Sequence, residues 1–139
     1  MIKFLVKRYE VIKLMTKVRI LYIDDEEEAL HSMKIGLEDR GYEVYTAISG
    51  EVALDILKKE NPDVIIADLR MTPMNGFELF QKVKKITKFK STPFFFLTAI
   101  DDFLAQKYGQ TLGVDAYITK PVEIDNIDKM IRQKIQTGA

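Results

Sequence analysis

Four strand-like apolar runs in this chain each lead into a residue that can handle phosphate. VRILYI (18–23) runs into Asp24-Asp25, DVIIA (63–67) into Asp68, FFFL (94–97) into Thr98, and AYIT (116–119) into Lys120-Pro121. In a parallel sheet the carboxyl ends of all strands share one edge, and ligands bind in the crevice there. Three carboxylates, a hydroxyl and an ammonium on that edge would suit a divalent metal and a phosphoryl group, with a carboxylate as acceptor.

Each residue alone has an ordinary explanation. Asp24 and Asp25 suit a helix N-terminus, where Asp caps free amides and meets the positive end of the dipole. Glu26, Glu27 and Glu28 extend that run and are read as helix electrostatics. Thr98 can be a β-branched residue closing a strand, and Lys120 a surface lysine before a loop proline. Asp68 is harder to dismiss. It ends an almost wholly apolar run, where a carboxylate is costly unless paired, hydrated or metal-bound. If the first and third strands are neighbours, three acids crowd together and a hard cation relieves their repulsion. Mg²⁺ prefers such oxygen ligands. Lys120-Pro121 is an X-Pro bond, the setting in which cis peptides occur, and a cis bond would fix the direction of the lysine.

Composition narrows the alternatives. The chain has 139 residues, 47% hydrophobic and 30% charged, with zero formal net charge. One soluble α/β domain is expected, and no global field draws it to nucleic acid or membrane. Residues 1–19 hold six basic side chains against Glu10 alone, so the rest is net acidic by five. There is no Cys, hence no disulfide, thiolate site or Cys nucleophile. The lone His31 sits in a charged stretch and reads as a solvated surface residue. No apolar run approaches the ~20 residues of a membrane span. The N-terminus lacks the continuous apolar core of a secretory signal, so a cytoplasmic location is expected.

The elements that would position these residues alternate regularly. Strands are expected over 18–23, 42–47, 63–68, 94–98 and 115–119. Helices are expected over 26–40, 50–60, 76–87, 101–112 and 123–136. Gly41 and Gly113 supply C-terminal stops, Ser49 an N-cap, and Asn61-Pro62 a break. Five strands alternating with five helices argue for a parallel sheet covered on both faces. Residues 1–16 precede the pattern as an extension, disordered or a short basic helix with Leu5, Tyr9 and Ile12 on one side. The single domain then occupies residues 17–137.

The combination resembles the response-regulator receiver family of two-component signalling. The matching features are the acidic pair in YIDDEEEAL, Asp68 in DVIIADLRMTPMNGFEL, Thr98-Ala99 in FFFLTA, and Lys120-Pro121 in DAYITKP. The resemblance implies a flavodoxin-like (βα)5 fold, a doubly wound parallel sheet with strand order 2-1-3-4-5. It implies that Asp68 accepts a phosphoryl group from a sensor histidine kinase or phosphotransfer protein. It implies that Asp25, Asp68 and the backbone carbonyl of Arg70 hold Mg²⁺ (or Mn²⁺) directly, with Asp24 helping through water. Lys120 would pair with the phosphoryl group, the Thr98 hydroxyl would turn toward it, and the Tyr117 ring would follow as a switch.

Such a module is not an enzyme in the usual sense, since it catalyses only its own phosphorylation and dephosphorylation. The chain runs only a few residues past the fifth helix. A stand-alone receiver is therefore expected, signalling to a protein target or a second copy through the face of the fourth helix, fifth strand and fifth helix. The other readings are a phosphate shuttle in a multistep relay and, less well supported, a Mg²⁺-dependent Asp-nucleophile phosphatase. A phosphatase would want its nucleophile in an Asp-x-Asp spacing after the first strand. An FMN carrier would want a Gly/Ser/Thr-rich loop there, and this loop is acidic. One departure from the family pattern is Met71-Thr72-Pro73, where the proline falls one place later than the usual Met-Pro pair. Arg70 and Ile100 are expected to flank the entrance to the site.

Overall fold

The computed structural model describes residues 16–99 and 101–137. The extension over 1–15 and Ile100 lie outside the described residues. Five strands form one sheet: β1 (Arg19–Ile23), β2 (Glu43–Ala47), β3 (Val64–Asp68), β4 (Phe94–Thr98) and β5 (Ala116–Thr119). All pair in parallel, in the order β2-β1-β3-β4-β5. The helices are α1 (Glu27–Asp39), α2 (Gly50–Leu57), α3 (Gly76–Lys84), α4 (Phe103–Leu112) and α5 (Ile124–Thr137). The alternation indicates a parallel sheet covered on both faces, and the observed order is the doubly wound, flavodoxin-like one that the resemblance implies.

Period-2 alternation along the strands sends neighbouring residues to opposite faces. Leu21, Ile23, Ile65, Ala67, Phe94 and Phe96 pack on one face with α2, α3 and α4. Ile20, Tyr22, Val64, Ile66, Phe95 and Leu97 pack on the other with α1 and α5. β3 and β4 are buried along their whole length, as central strands covered on both sides must be.

Local chemistry sets the ends. The Ser49 hydroxyl accepts from the Val52 amide at 3.1 Å and starts α2. Asn75 and Glu78 form a reciprocal capping box at the start of α3. Gly41 and Gly113 have φ of 93° and 76°, the left-handed values that stop α1 and α4. Three helices stop or start two or more residues inside the span the periodicity indicates, and the one expected to reach residue 60 ends at Leu57. The helix expected to reach residue 87 ends at Lys84, and Thr87–Phe89 form a separate 3-10 turn. The Lys84 ammonium gathers the carbonyls of Phe89, Lys90 and Thr92, which favours that tight turn over a longer helix. The helix expected from residue 101 begins at Phe103, with Asp102 at its N-cap and no side-chain cap bond.

At the amino edge of the sheet, acids are taken up by backbone amides. Asp63 accepts from the Arg19 amide and Asp115 from the Phe94 amide, each at 2.8 Å. The carboxyl edge is different.

Candidate functional site

β1 lies beside β3 with Ile23 opposite Ala67, so the residues that follow, Asp24 and Asp68, emerge side by side. Asp24, Asp25 and Asp68 each present a carboxylate oxygen, and these atoms all lie within 4.8 Å of one another. Asp24 and Asp68 are buried and Asp25 is exposed. One Asp24 oxygen accepts from the Glu26 amide at 3.0 Å, so this residue also shapes the turn into α1. Burial pushes the Asp24 carboxyl up from its ordinary range, and the Asp68 charge adds to that. The Glu26 amide and Lys120 act in the opposite sense. Burial also raises the Tyr22 phenol, helped by the charges of Asp24 and Asp68.

Lys120 answers part of this negative charge. Beyond the Thr98–Thr119 pair, the Lys120 amide donates to the Thr98 carbonyl at 2.8 Å, which carries the β4–β5 ladder one residue further. The Lys120-Pro121 peptide is cis, as considered from the sequence. The ammonium reaches Asp68 Oδ2 at 2.9 Å. Burial works against the ammonium, but its bond to Asp68 and the charges of Asp68 and Asp24 prevail and raise its pKa.

The donor set fits a small hard divalent cation. Three carboxylates converge, no thiol exists in the chain, and the only histidine, His31, stands exposed on α1. Oxygen-only ligation of this kind suits Mg²⁺ or Mn²⁺ rather than a softer metal.

Thr98 is buried at the end of β4, and its hydroxyl donates to the Ala99 carbonyl across a long 3.4 Å. The Arg70 amide donates to Asp68 Oδ1 at 3.2 Å. Tyr117 lies half-buried on the face that carries α4, and its hydroxyl donates to the Ala105 carbonyl at 3.4 Å. Asp24, Asp25, Asp68 and Lys120 therefore meet directly, Thr98 adjoins Lys120, and Tyr117 lies under α4.

Asp102, Gly76 and Gly109 also shape the site. The Arg70 guanidinium holds Asp102 through two bonds of 2.9 Å, which ties the loop after β3 to the start of α4. No spacing rule marks this pair in advance. Gly76 starts α3 so close to β3 that a Cβ would lie 2.7 Å from the Asp68 carbonyl oxygen and 2.9 Å from Leu69 Cα. Gly109 lies inside α4, against Tyr117. A glycine within a helical pattern is a signal that something packs closely there.

The family model for the response regulator receiver domain matches residues 20–132. This chain belongs to that family. Receivers are signalling modules of two-component systems. Among curated proteins, a probable transcriptional regulator ycf27 from Porphyridium aerugineum is 34% identical over 122 residues, 88% of this chain and 50% of that protein. The transcriptional regulatory protein TrcR of Mycobacterium tuberculosis is 31% identical over 115 residues, 83% of this chain and 44% of that one. The chain spans about half the length of the curated relatives it matches. Among solved structures, the chemotaxis response regulator CheY4 of Vibrio cholerae aligns with a TM-score of 0.79 and 31% identity, covering 85% of this chain and 98% of that one. Among the described residues, no helix of this receiver is long and apolar enough to cross a membrane.

Proposed function

We propose that residues 17–137 act as a phosphoacceptor receiver, in which Asp68 takes a phosphoryl group from a phosphohistidine of a sensor kinase or phosphotransfer protein. The observation that carries this reading is the buried Asp68 carboxylate. It is paired with Lys120 at 2.9 Å and set within a three-carboxylate cluster on the ligand-binding edge of the sheet.

In the transfer, a carboxylate oxygen of Asp68 forms a bond to phosphorus. The bond from phosphorus to the donor imidazole nitrogen breaks, and its electron pair stays on nitrogen. The charge that Lys120 neutralises on Asp68 passes to the phosphoryl oxygens, and the ammonium follows it. Asp24, Asp25, Asp68 and the Arg70 carbonyl would hold Mg²⁺ or Mn²⁺. Bound there, the cation supplies positive charge to the transferring phosphoryl oxygens, the main catalytic need of such a reaction. The Thr98 hydroxyl, now on a long bond to a neighbouring carbonyl, is free to exchange that partner for a phosphoryl oxygen.

The product carries about two negative charges and new acceptor oxygens. That change can bias Thr98, Tyr117 and the segment around α4, so a local event alters a remote surface. Phe103, Leu104 and Tyr108 stand exposed on α4, with Leu104 and Tyr108 toward α3, and a protein target or a second copy would dock on the α4–β5–α5 face beside them.

The test is mass spectrometry after incubation with acetyl phosphate and Mg²⁺. A single base-labile phosphate is expected, and Asp68→Asn should abolish it. Undiminished labelling of that variant would place the acceptor elsewhere.

A further inference from the structure

α4 is attached to the sheet differently from its neighbours. It buries only Ala105 and Gly109, one turn apart, whereas α1 buries Leu30, Met33 and Leu37 and α3 buries Leu79, Phe80 and Val83. The space that larger helix side chains would fill is taken by the Tyr117 ring from β5. That ring packs on Phe96 with centroids 5.9 Å apart, and its hydroxyl reaches the Ala105 carbonyl. Phe77 of α3 joins the same group, edge-on to Phe96 at 5.2 Å and to Tyr108 at 4.7 Å.

Gly109 is what admits the ring. A Cβ at position 109 would lie 1.1 Å from the Tyr117 hydroxyl oxygen, 2.4 Å from its Cζ and 3.2 Å from a Phe77 ring carbon. Gly36, inside α1, offers a contrast. A Cβ there would meet the terminal methyl of Ile124 at 2.2 Å, the end of a flexible side chain that can swing aside. A tyrosine ring is rigid and planar, so at position 109 either the ring must rotate outward or α4 must lift. Glycine also weakens a helix relative to alanine. α4 is thus built against its own propensity at the residue where Tyr117 enters.

We propose that Gly109 is a positioning residue, a notch that lets Tyr117 lie inward beneath α4, so that side-chain size at 109 sets the share of molecules with the ring stored there. The ring's role as a switch rests on the phosphoacceptor reading; the notch itself does not. With the ring inward, α4 presents Phe103, Leu104 and Tyr108 around a filled socket. With the ring outward, Tyr117 joins the exposed surface and the socket empties. A partner that binds this face would therefore respond to the residue at 109 without touching it.

The test is a stability cycle on the full chain: unaltered, Gly109→Ala, Tyr117→Ala and the double variant, each unfolded in urea. Tyrosine-selective NMR follows the Tyr117 ring, with its signal assigned by loss in Tyr117→Ala. In the Tyr117→Ala background, Gly109→Ala should stabilise, as alanine does for glycine in a helix interior. With Tyr117 present it should destabilise, and the two effects should differ by roughly tenfold or more in the unfolding equilibrium constant. The Tyr117 signal should move toward its solvent-exposed position. If Gly109→Ala folds only when Tyr117 is removed, the notch is supported in its strongest form. Equal effects in both backgrounds, failure to fold in both, or an unmoved Tyr117 signal would overturn it. Labelling of the unaltered chain by acetyl phosphate judges Asp68 separately. If that labelling fails, the ring loses its switch role and the stability cycle still decides the notch.

Discussion

Replacing Asp24 by Asn should make the metal-free protein more stable and the Mg²⁺-saturated protein relatively less so. The three carboxylate oxygens lie within 4.8 Å of one another. At an effective dielectric of about 20, two unit charges at that separation repel by roughly 3.5 kcal/mol. Lys120 offsets part of this, because its ammonium sits on Asp68 and also attracts Asp24. Asparagine keeps the oxygen that accepts the Glu26 amide, so the turn into α1 is preserved. A net stabilisation of roughly 1–3 kcal/mol remains, or about 4 °C in melting temperature per kcal/mol for a domain of this size.

Magnesium reverses the order. A ligand at one hundred times its dissociation constant stabilises the folded state by about 2.7 kcal/mol, here roughly 10 °C. Asp24→Asn forfeits most of that gain, since the amide brings no charge to the cation. Thermal unfolding followed by circular dichroism, with EDTA and then over a Mg²⁺ titration, should show the two melting curves approach and cross. A variant that melts lower in EDTA would mean that Asp24 serves the turn into α1 and feels no net repulsion. Equal Mg²⁺ shifts in both proteins would mean that Asp24 is not a ligand. Either result refutes the electrostatic reasoning.

Gly76→Ala should destabilise by about 1–3 kcal/mol and reduce labelling of Asp68, because the added methyl meets the backbone of Asp68 and Leu69, which cannot swing aside. Urea unfolding with mass spectrometry checks both effects. Lys84→Met should cost about 1–2 kcal/mol in urea by leaving the carbonyls of Phe89, Lys90 and Thr92 without their donor, with labelling at Asp68 unchanged. The bond from Arg70 holds the Asp102 carboxyl below its usual range. A depressed carboxyl contributes stability above its unfolded pKa and loses it as pH falls through the folded value. The contribution is small because the Arg70 guanidinium is open to solvent. NMR titration should show the Asp102 pKa rising in Arg70→Ala, and an unmoved value would deny the ion pair in solution.

The strands and most helices were legible because burial on both faces leaves a direct mark. VIIAD and FFFLT read as central strands, and they are buried throughout. The gathering of Asp24, Asp25, Asp68 and Lys120 was legible because a parallel sheet sends all its strand ends to one edge. Register, which periodicity does not encode, decides how close the groups come. The ends of α3 and α4 were misjudged for a related reason. The Lys84 ammonium and the Arg70–Asp102 pair are side-chain bonds across turns, and they override the helical pattern from outside it. Gly109 did leave a trace, as a lone glycine in a helical run, but only the strand register that sets Tyr117 beneath it gives that trace a meaning.

The two edges of the sheet treat their acids differently, and the difference points to function. At the amino edge, Asp63 and Asp115 each accept a backbone amide, and Asp115 also pairs with Lys134 at 3.1 Å. At the carboxyl edge, among the described residues, three carboxylates face the Lys120 ammonium, which leaves two negative charges over, the charge of one divalent cation. Phosphorylating Asp68 replaces one negative charge by about two, so the modified site needs the cation more than the unmodified one does. Linkage makes that preference reciprocal: a phosphoryl group and Mg²⁺ each tighten the other by the same factor. Titrating Mg²⁺ with and without beryllofluoride as the phosphoryl mimic should show a clearly lower Mg²⁺ dissociation constant with the mimic present. Equal affinities would mean that the unmatched charge on this edge is held for some purpose other than carrying phosphate.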